Sequence, residues 1–339
     1  MTPDRPRARV LVIGAGAVGG IYAVRLGRAA EVELLDVRRD HVEAIRCRGL
    51  RLAVRTECEA GEFETRPAAA ADPAGLSRGP FTHALVAVKG PETRAAVASV
   101  ASRLGSAVVL TVQNGLGNAE TIAEVCDARI CHGVTMNAGA LTGPGEIVQK
   151  EIGPTWLGPY RAAPADADRW GELLQQAGME VHVLDDPRGA IWSKLIFNAA
   201  VNPLPVLTGL PLSRIYAHPD TYALLRTLVD EGKAVARARG ISLLHDPLVT
   251  IDAHRAMGDA HTHHGSMVHD VERGRPTEIE TLTGALIAQA DDAGIAVPAH
   301  RTVYRLIKGV EARTAADGAG GTRTTAATRG TNGRPNDGA

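Results

Sequence analysis

The stretch Val10 to Gly20, VLVIGAGAVGG, limits what this chain can fold into more than any other. Val10 to Ile13 form an apolar run, the pattern of a strand buried on both faces. Gly14, Gly16 and Gly19 follow in G-x-G-x-x-G spacing, and Ile21, Val24 and Leu26 begin a helical pattern. The first glycine makes a tight turn, the second lets backbone N–H groups approach a pyrophosphate, and the third lets helix pack on strand. The helix start adds unpaired donors and a partial positive charge. In that order they predict a dinucleotide-binding unit, with Gly14, Ala15, Gly16, Ala17, Val18 and Gly19 facing the cofactor. A glycine-rich turn without a ligand is the plainer alternative.

Asp36 strengthens the first reading. It lies near the carboxyl end of a second predicted strand, Glu31 to Val37. A carboxylate there accepts hydrogen bonds from the adenosine ribose hydroxyls and repels a 2′-phosphate, which favours NAD over NADP. Arg38 and Arg39 follow at once and could embrace that phosphate instead, so NADP is not excluded. Asp36 could also serve only as a turn residue.

With 339 residues the chain fits two domains, and 45% hydrophobic residues supply a substantial core. Thirty-seven basic residues against 38 acidic leave a net charge of −1, so no field draws in nucleic acid. Aromatics at 3% leave few platforms for stacking bases. No apolar run reaches membrane-spanning length and the N-terminal stretch has no signal-peptide pattern, so a cytoplasmic location is expected. Cys47, Cys58, Cys126 and Cys131 show no metal-finger or C-x-x-C spacing and read as free thiols.

Further apolar runs predict strands at Leu50 to Val54, around Phe63 to Arg66, and at Ala84 to Val88, Val108 to Val112, Ile130 to Thr135, Gly145 to Gln149, Trp156 to Gly158 and Glu180 to Leu184. Pro67 to Pro80 reads as a connecting stretch. Alternation of strands with helical segments predicts an α/β fold, a Rossmann-type doubly wound parallel sheet over residues 1–185. Helical patterns then take over: Ala190 to Leu207, Asp220 to Arg239, Pro247 to Arg273, Thr277 to Ala293 and His300 to Glu311. They predict an all-helical second domain over 186–312. Residues 313–339 hold scarcely a large apolar side chain and are expected to be a disordered tail.

Within Ile191 to Val206, IWSKLIFNAAVNPLPV, Lys194, Asn198 and Asn202 recur every fourth residue and share one helix face. On an otherwise apolar helix such groups need partners. A cleft that binds a polar substrate supplies them; so would solvent, or the groups themselves across an interdomain seam. In SMVHDVERGRPTEIETL, Thr277 and Glu280 have capping-box spacing, which leaves Glu278 free to point elsewhere. Ser266 could present a hydroxyl to the same cleft. Lys89, after the strand ending at Val88, and Asn114, in QNGLGN, stand at strand ends where a cofactor crevice opens.

Together GAGAVGG, VKG, QNGLGN, KLIFNAAVNPL and SMVHDVERGRPTEIE resemble the ketopantoate reductase (2-dehydropantoate 2-reductase) family over roughly residues 9 to 311. The resemblance implies an active site between the two domains and NAD(P)H-dependent reduction of a 2-oxo acid. It implies Lys194 as general acid with Glu278 as the carboxylate near it. It implies substrate contacts from Asn114, Asn198, Asn202 and Ser266, and places Lys89, Asn114, Ala138 and Glu278 along the cofactor. Two departures from the family pattern stand out. No amide occurs in Thr208 to Ser213, where members carry a substrate-binding asparagine, and Asp36-Val37 stands where many have an arginine for the NADP phosphate.

A relative acting on another ketone, or a dinucleotide sensor without chemistry, are the competing readings. Small molecules, and neither nucleic acid nor membrane, are the expected partners, and the oligomeric state stays open, a homodimer included. His254, His261, His263, His264 and His269 crowd one region without a zinc-binding pattern, so no metal is expected.

Overall fold

The first apolar run becomes strand β1 (Ala8–Ile13), and the N-terminal half continues as a series of strands. They are β2 (Ala30–Leu35), β3 (Leu50–Arg55), β4 (Ala60–Thr65), β5 (Ala68–Ala70), β6 (His83–Val86), β7 (Val108–Thr111), β8 (Arg129–Thr135), β9 (Ala138–Gly143), β10 (Glu146–Glu151), β11 (Thr155–Arg161) and β12 (Val181–Val183). The structure, a computed structural model, describes residues 7–320 apart from 57, 78 and 259–265. Among the described residues, one sheet of eight strands runs β12-β11-β8-β7-β6-β1-β2-β5, and a second of four runs β4-β3-β10-β9.

In the large sheet β1 lies parallel to β2 on one side and to β6 on the other. The chain therefore reverses its direction of travel across the sheet at β1, and the loops after β1 and β6 meet at one crevice. Ligands bind at such a switch point, beyond the carboxyl ends of the strands. The sheet is mixed and not wholly parallel, because β11 pairs antiparallel with β8. The predicted strands around residues 50, 63 and 147 leave the large sheet altogether and form the small one. Two strands escaped the sequence reading. β5 is three alanines, and β9 (AGALTG) is rich in residues with weak strand preference.

Apolar side chains fill both faces of the large sheet. On one face Val10, Val12, Leu34 and Leu110 pack with Tyr22, Leu26, Trp170 and Leu174. On the other, Leu11, Ile13, Val86 and Val109 pack with Val97, Val100, Leu104 and Ile122. Past β12 the described residues are helical, beginning with Arg188–Val201. The helix expected to run to Leu207 ends early because Pro203, lacking an N–H, starts a new short helix, Pro203–Thr208. The segment expected to be helical over Pro247 to Arg273 holds helices Pro247–Met257 and Ser266–Glu272, with 259–265 between them outside the described residues. The final helix is Pro298–Gly320, so the expected tail begins as helix; its remainder, 321–339, is outside the described residues. His261, His263 and His264 are likewise outside them.

The capping box is only half formed. Thr277 Oγ1 accepts from Ile279 N at 3.2 Å, but Glu280 turns away to Tyr304 (2.9 Å) and Lys308 (2.9 Å). Glu280 opens a single π-helical turn, Glu280–Gly284, which removes the geometry the box requires.

His83 and His132 are buried in the large sheet, and neither Nε2 has a hydrogen-bond partner among the described residues. Burial, the largest cause for each, pushes both imidazoles down to about 4. The unfolded chain takes up those protons near pH 6.5 and the folded one does not, so stability is lost as pH falls from about 6.5 through 4. Thermal denaturation should show a lower Tm at about pH 5 than at about pH 7, with a smaller drop in a His83→Gln/His132→Gln variant. An equal drop in both proteins would contradict this.

Candidate active site

The glycine loop is held on three sides. Gly14 N donates to Leu35 O at 2.8 Å, Ala15 N donates to Asp36 Oδ2 at 2.9 Å, and Ala15 O lies 2.9 Å from His41 Nε2. Gly145 N donates to His41 Nδ1 at 3.0 Å, which leaves the proton of a neutral ring on Nε2, facing Ala15 O. A Cβ on Gly19 would stand 1.9 Å from Gly14 O, so the helix Ala17–Leu26 starts as close to the loop as the spacing predicts. A Cβ on Gly16, by contrast, would meet nothing within 4 Å. Gly16 caps that helix without any side-chain hydrogen bond, leaving an open surface with no side-chain cap on its N–H groups.

Asp36 is buried beside this surface. Arg38 binds it through Nε (2.8 Å) and a second guanidinium nitrogen (2.7 Å), and its backbone N adds a bond of 3.0 Å. Burial alone would raise the Asp36 pKa, but Arg38 and then Ala15 N outweigh it and hold the carboxyl below its ordinary range.

Across the crevice, three groups named from sequence come together with one that was not. Lys89 Nζ lies 3.0 Å from Asp270 Oδ2 and 3.6 Å from Glu278 Oε2, and Asn114 Nδ2 donates to Glu278 Oε2 at 3.5 Å. Burial would lower the lysine's pKa, yet Glu278 and Asp270 outweigh it and raise the group above its usual value. Asp270 is buried and also faces Arg275 at 3.4 Å. It lies inside SMVHDVERGRP, where a carboxylate on a helix was legible but its cross-domain partner was not. Nearby, Leu116 N donates to Thr281 O at 3.0 Å, a backbone bond between the QNGLGN loop and the π-helical turn.

Lys194 stands where the sheet region meets the helical region. The helix Arg188–Val201 is apolar nearly all round and buries both flanks. Ala190 and Ile191 pack on Val134, while Trp192, Leu195 and Ile196 enter the helical core. Between them Lys194 Nζ donates to the carbonyl of Thr135, the last residue of β8. Burial drives its ammonium down from 10.5 to about 8, against the pull of Glu151 and then Glu278. Glu278 therefore acts on Lys194 only at range, its contacts being Lys89 and Asn114; a backbone carbonyl orients the lysine instead. Glu151, exposed at the end of β10, was missed because nothing in its strand sets it apart.

Asn198 is buried and Asn202 half-buried on the same helix face, and neither side chain has a hydrogen-bond partner among the described residues. Ala138 opens β9, half-buried and two residues from Asn137's neighbour Met136. Ser266 is exposed at the start of its helix, apart from the Lys89 cluster by any hydrogen bond.

A switch-point crevice in a Rossmann-type sheet region, beside a helical region that supplies a half-buried lysine, is the layout of a Rossmann-type oxidoreductase. Family models described as "Ketopantoate reductase PanE/ApbA" and "Ketopantoate reductase PanE/ApbA C terminal" match residues 10–162 and 186–311. The chain belongs to the ketopantoate reductase family, oxidoreductases acting on CH–OH groups. The 2-dehydropantoate 2-reductase of Halobacterium salinarum is 32% identical over 303 residues, covering 88% of this chain and 98% of that protein. The one from Archaeoglobus fulgidus is 28% identical, covering 89% and 98%. A PanE/ApbA family ketopantoate reductase from Ralstonia eutropha JMP134 has a crystal structure similar to this one at TM-score 0.80 and 31% identity, covering 90% and 99%. D-mandelate dehydrogenase with NADH and anilino(oxo)acetate shares the fold, at TM-score 0.81 and 23% identity over 90% and 99%.

Gly115 makes the seam possible. Its φ is +85°, and a Cβ there would lie 2.1 Å from Thr281 O. Gly115→Ala should therefore cost about 1–2 kcal/mol in backbone strain alone and force the domains apart at this point. Denaturant unfolding should show that loss, with carbonyl reduction slowed roughly tenfold (about 1.4 kcal/mol on the barrier). Wild-type stability and rate in this variant would contradict the docking described.

Proposed function

We propose that this protein reduces 2-dehydropantoate (ketopantoate) to pantoate with NAD(P)H, and that Lys194 is the general acid. The observation that carries the reading is the placement of a desolvated ammonium, held near pKa 8, at the seam that faces the switch-point crevice. The open surface over Gly16 and the uncapped helix start suit a pyrophosphate. Gly14, Ala15, Gly16, Ala17, Val18 and Gly19 would hold that group, Asp36 the adenosine ribose, and Lys89, Asn114, Ala138 and Glu278 the remainder. When bound, the nicotinamide supplies a hydride to the ketone carbon.

The chain's own residues manage the charge that develops on the substrate oxygen. Lys194 stabilises that oxygen and delivers a proton to it. A pKa near the working pH suits a group that must give up a proton and regain it. Glu151 and Glu278 favour the charged lysine and so keep it loaded. The amides of Asn198, Asn202 and Asn114, with the Ser266 hydroxyl, bind the substrate's carboxylate and hydroxyl. Two of these amides, at 198 and 202, make no side-chain hydrogen bond among the described residues, which supports a polar ligand beside them.

NADH is the preferred reductant in this reading. Asp36 is ionised, and the Arg38 guanidinium is engaged by both of its oxygens, so Arg38 is not free to neutralise a 2′-phosphate.

Oxidation of NADH and NADPH, followed side by side with ketopantoate and a panel of other 2-oxo acids, tests the proposal. NADH with ketopantoate should turn over fastest, and kcat should fall as pH rises through about 8, where Lys194 loses its proton. Lys194→Ala should lower kcat by roughly 10²–10⁴ without unfolding the protein. Near wild-type turnover in that variant, or ketopantoate no faster than unrelated 2-oxo acids, would overturn the assignment.

A further inference from the structure

Behind the carbonyl that receives Lys194 lies a buried polar network that the proposed chemistry does not use. Thr135 ends β8 in the large sheet, Asn137 follows it at the crossing into β9 of the small sheet, and Gln149 lies in β10 just before the chain returns through Gly153 to Thr155 at the start of β11. All four polar side chains, with Tyr22, are buried. Asn137 Nδ2 donates to Thr135 Oγ1 at 2.9 Å and to Gly153 O at 2.8 Å, and its Oδ1 accepts from Gln149 Nε2 at 2.9 Å. Gln149 Nε2 donates its other hydrogen to Glu151 O at 3.2 Å. Both amides are therefore fixed in orientation, since each donor finds an acceptor only this way round.

The hydroxyls can be assigned as well. Thr155 Oγ1 donates to Thr135 Oγ1 at 3.0 Å, so the 2.6 Å contact between Tyr22 and Thr155 has the tyrosine as donor. Tyr22 belongs to the helix Ala17–Leu26 that begins at the glycine loop. Arg25, on the same helix, reaches Gln149 Oε1 at 3.4 Å and Glu59 at 3.0 Å. The helix that begins at the glycine loop is thus bonded to Thr155, at the return from β10 into β11, and to Gln149, and through them to the β8–β9 crossing that carries the carbonyl facing Lys194.

We propose that Asn137 and Gln149, through the Thr135 hydroxyl, are positioning residues that fix the Thr135 carbonyl and so the ammonium of Lys194. The proposal rests on the reading of Lys194 as general acid and adds the device that holds it. A buried network whose amide donors are all satisfied is rigid, and breaking one member leaves others unpaired. The Asn137→Asp exchange keeps shape but removes both donated bonds. Thr135→Val removes the oxygen on which Asn137 and Thr155 converge, whereas Thr135→Ser keeps it.

The test compares steady-state kinetics of Asn137→Asp, Gln149→Glu, Thr135→Val and Thr135→Ser with NADH and ketopantoate, each checked for folding by its Tm, with Lys194→Ala run in parallel. The first three should lose roughly tenfold in kcat (about 1.4 kcal/mol) with KM for both substrates within about twofold. In Thr135→Val, which adds no charge, the basic limb of the kcat–pH profile should move to lower pH, because a charged group whose acceptor is no longer held in place loses its proton more readily. Thr135→Ser should recover most of the kcat lost in Thr135→Val. Folded Asn137→Asp and Gln149→Glu proteins with wild-type kcat would overturn the proposal, as would an unmoved basic limb in Thr135→Val, or Thr135→Ser as slow as Thr135→Val. If Lys194→Ala is itself fast, the general-acid reading fails and takes this inference with it; if Lys194→Ala is slow and the network variants are not, only this inference falls.

Discussion

The proposed chemistry depends on one hydrogen bond between the sheet region and the helical region, from the Lys194 ammonium to the carbonyl of Thr135. Taking an ammonium out of water is costly, and the fold lets most of that cost stand: burial holds the group near 8 instead of 10.5. A carbonyl acceptor offsets part of it, since a hydrogen bond to a charged group contributes about 1.5–3 kcal/mol. Two carboxylates acting from a distance, Glu151 more than Glu278, keep the group from losing its proton altogether. A carboxylate in direct contact would have raised the pKa and made the proton harder to give away.

That bond requires the two domains to hold a fixed relation, and three contacts of different kind supply it. The apolar cluster of Val134, Ala190 and Ile191 joins the end of β8 to the lysine's own helix. The Leu116–Thr281 backbone bond ties the QNGLGN loop to the π-helical turn, which is possible only because residue 115 has no side chain. Lys89, set between Asp270 and Glu278, adds charge pairing from the rim of the crevice. The π-helical turn starts two residues after Glu278, at Glu280, where an unbroken α-helix would have left the carbonyl of Thr281 inside the helix ladder.

Much of this was legible in the residue order. The glycine spacing, the buried strand before it and Asp36 lie where that pattern places them, and the change from strands to helices past residue 185 is visible in hydrophobic periodicity. The fourfold spacing of Lys194, Asn198 and Asn202 gave the polar face of an apolar helix. What failed to show were relations between distant segments. The antiparallel β11 and the transfer of β3, β4 and β10 into a second sheet depend on pairing partners, to which local periodicity is blind. Asn137 and Gln149 read as ordinary amides near strand ends, and only the double crossing between sheets makes them neighbours. Asp270 was in view as one letter of a motif, but its partner Lys89 lies 181 residues away in the sequence.

The most direct measurement is a crystal structure of the protein with NAD⁺ and pantoate bound. The account predicts the pantoate hydroxyl within hydrogen-bonding distance of Lys194, with the nicotinamide ring on the opposite face of the reacting carbon and the Thr135 carbonyl still in contact with the ammonium. Pantoate bound elsewhere in the crevice, with Lys194 touching neither it nor Thr135, would contradict the account.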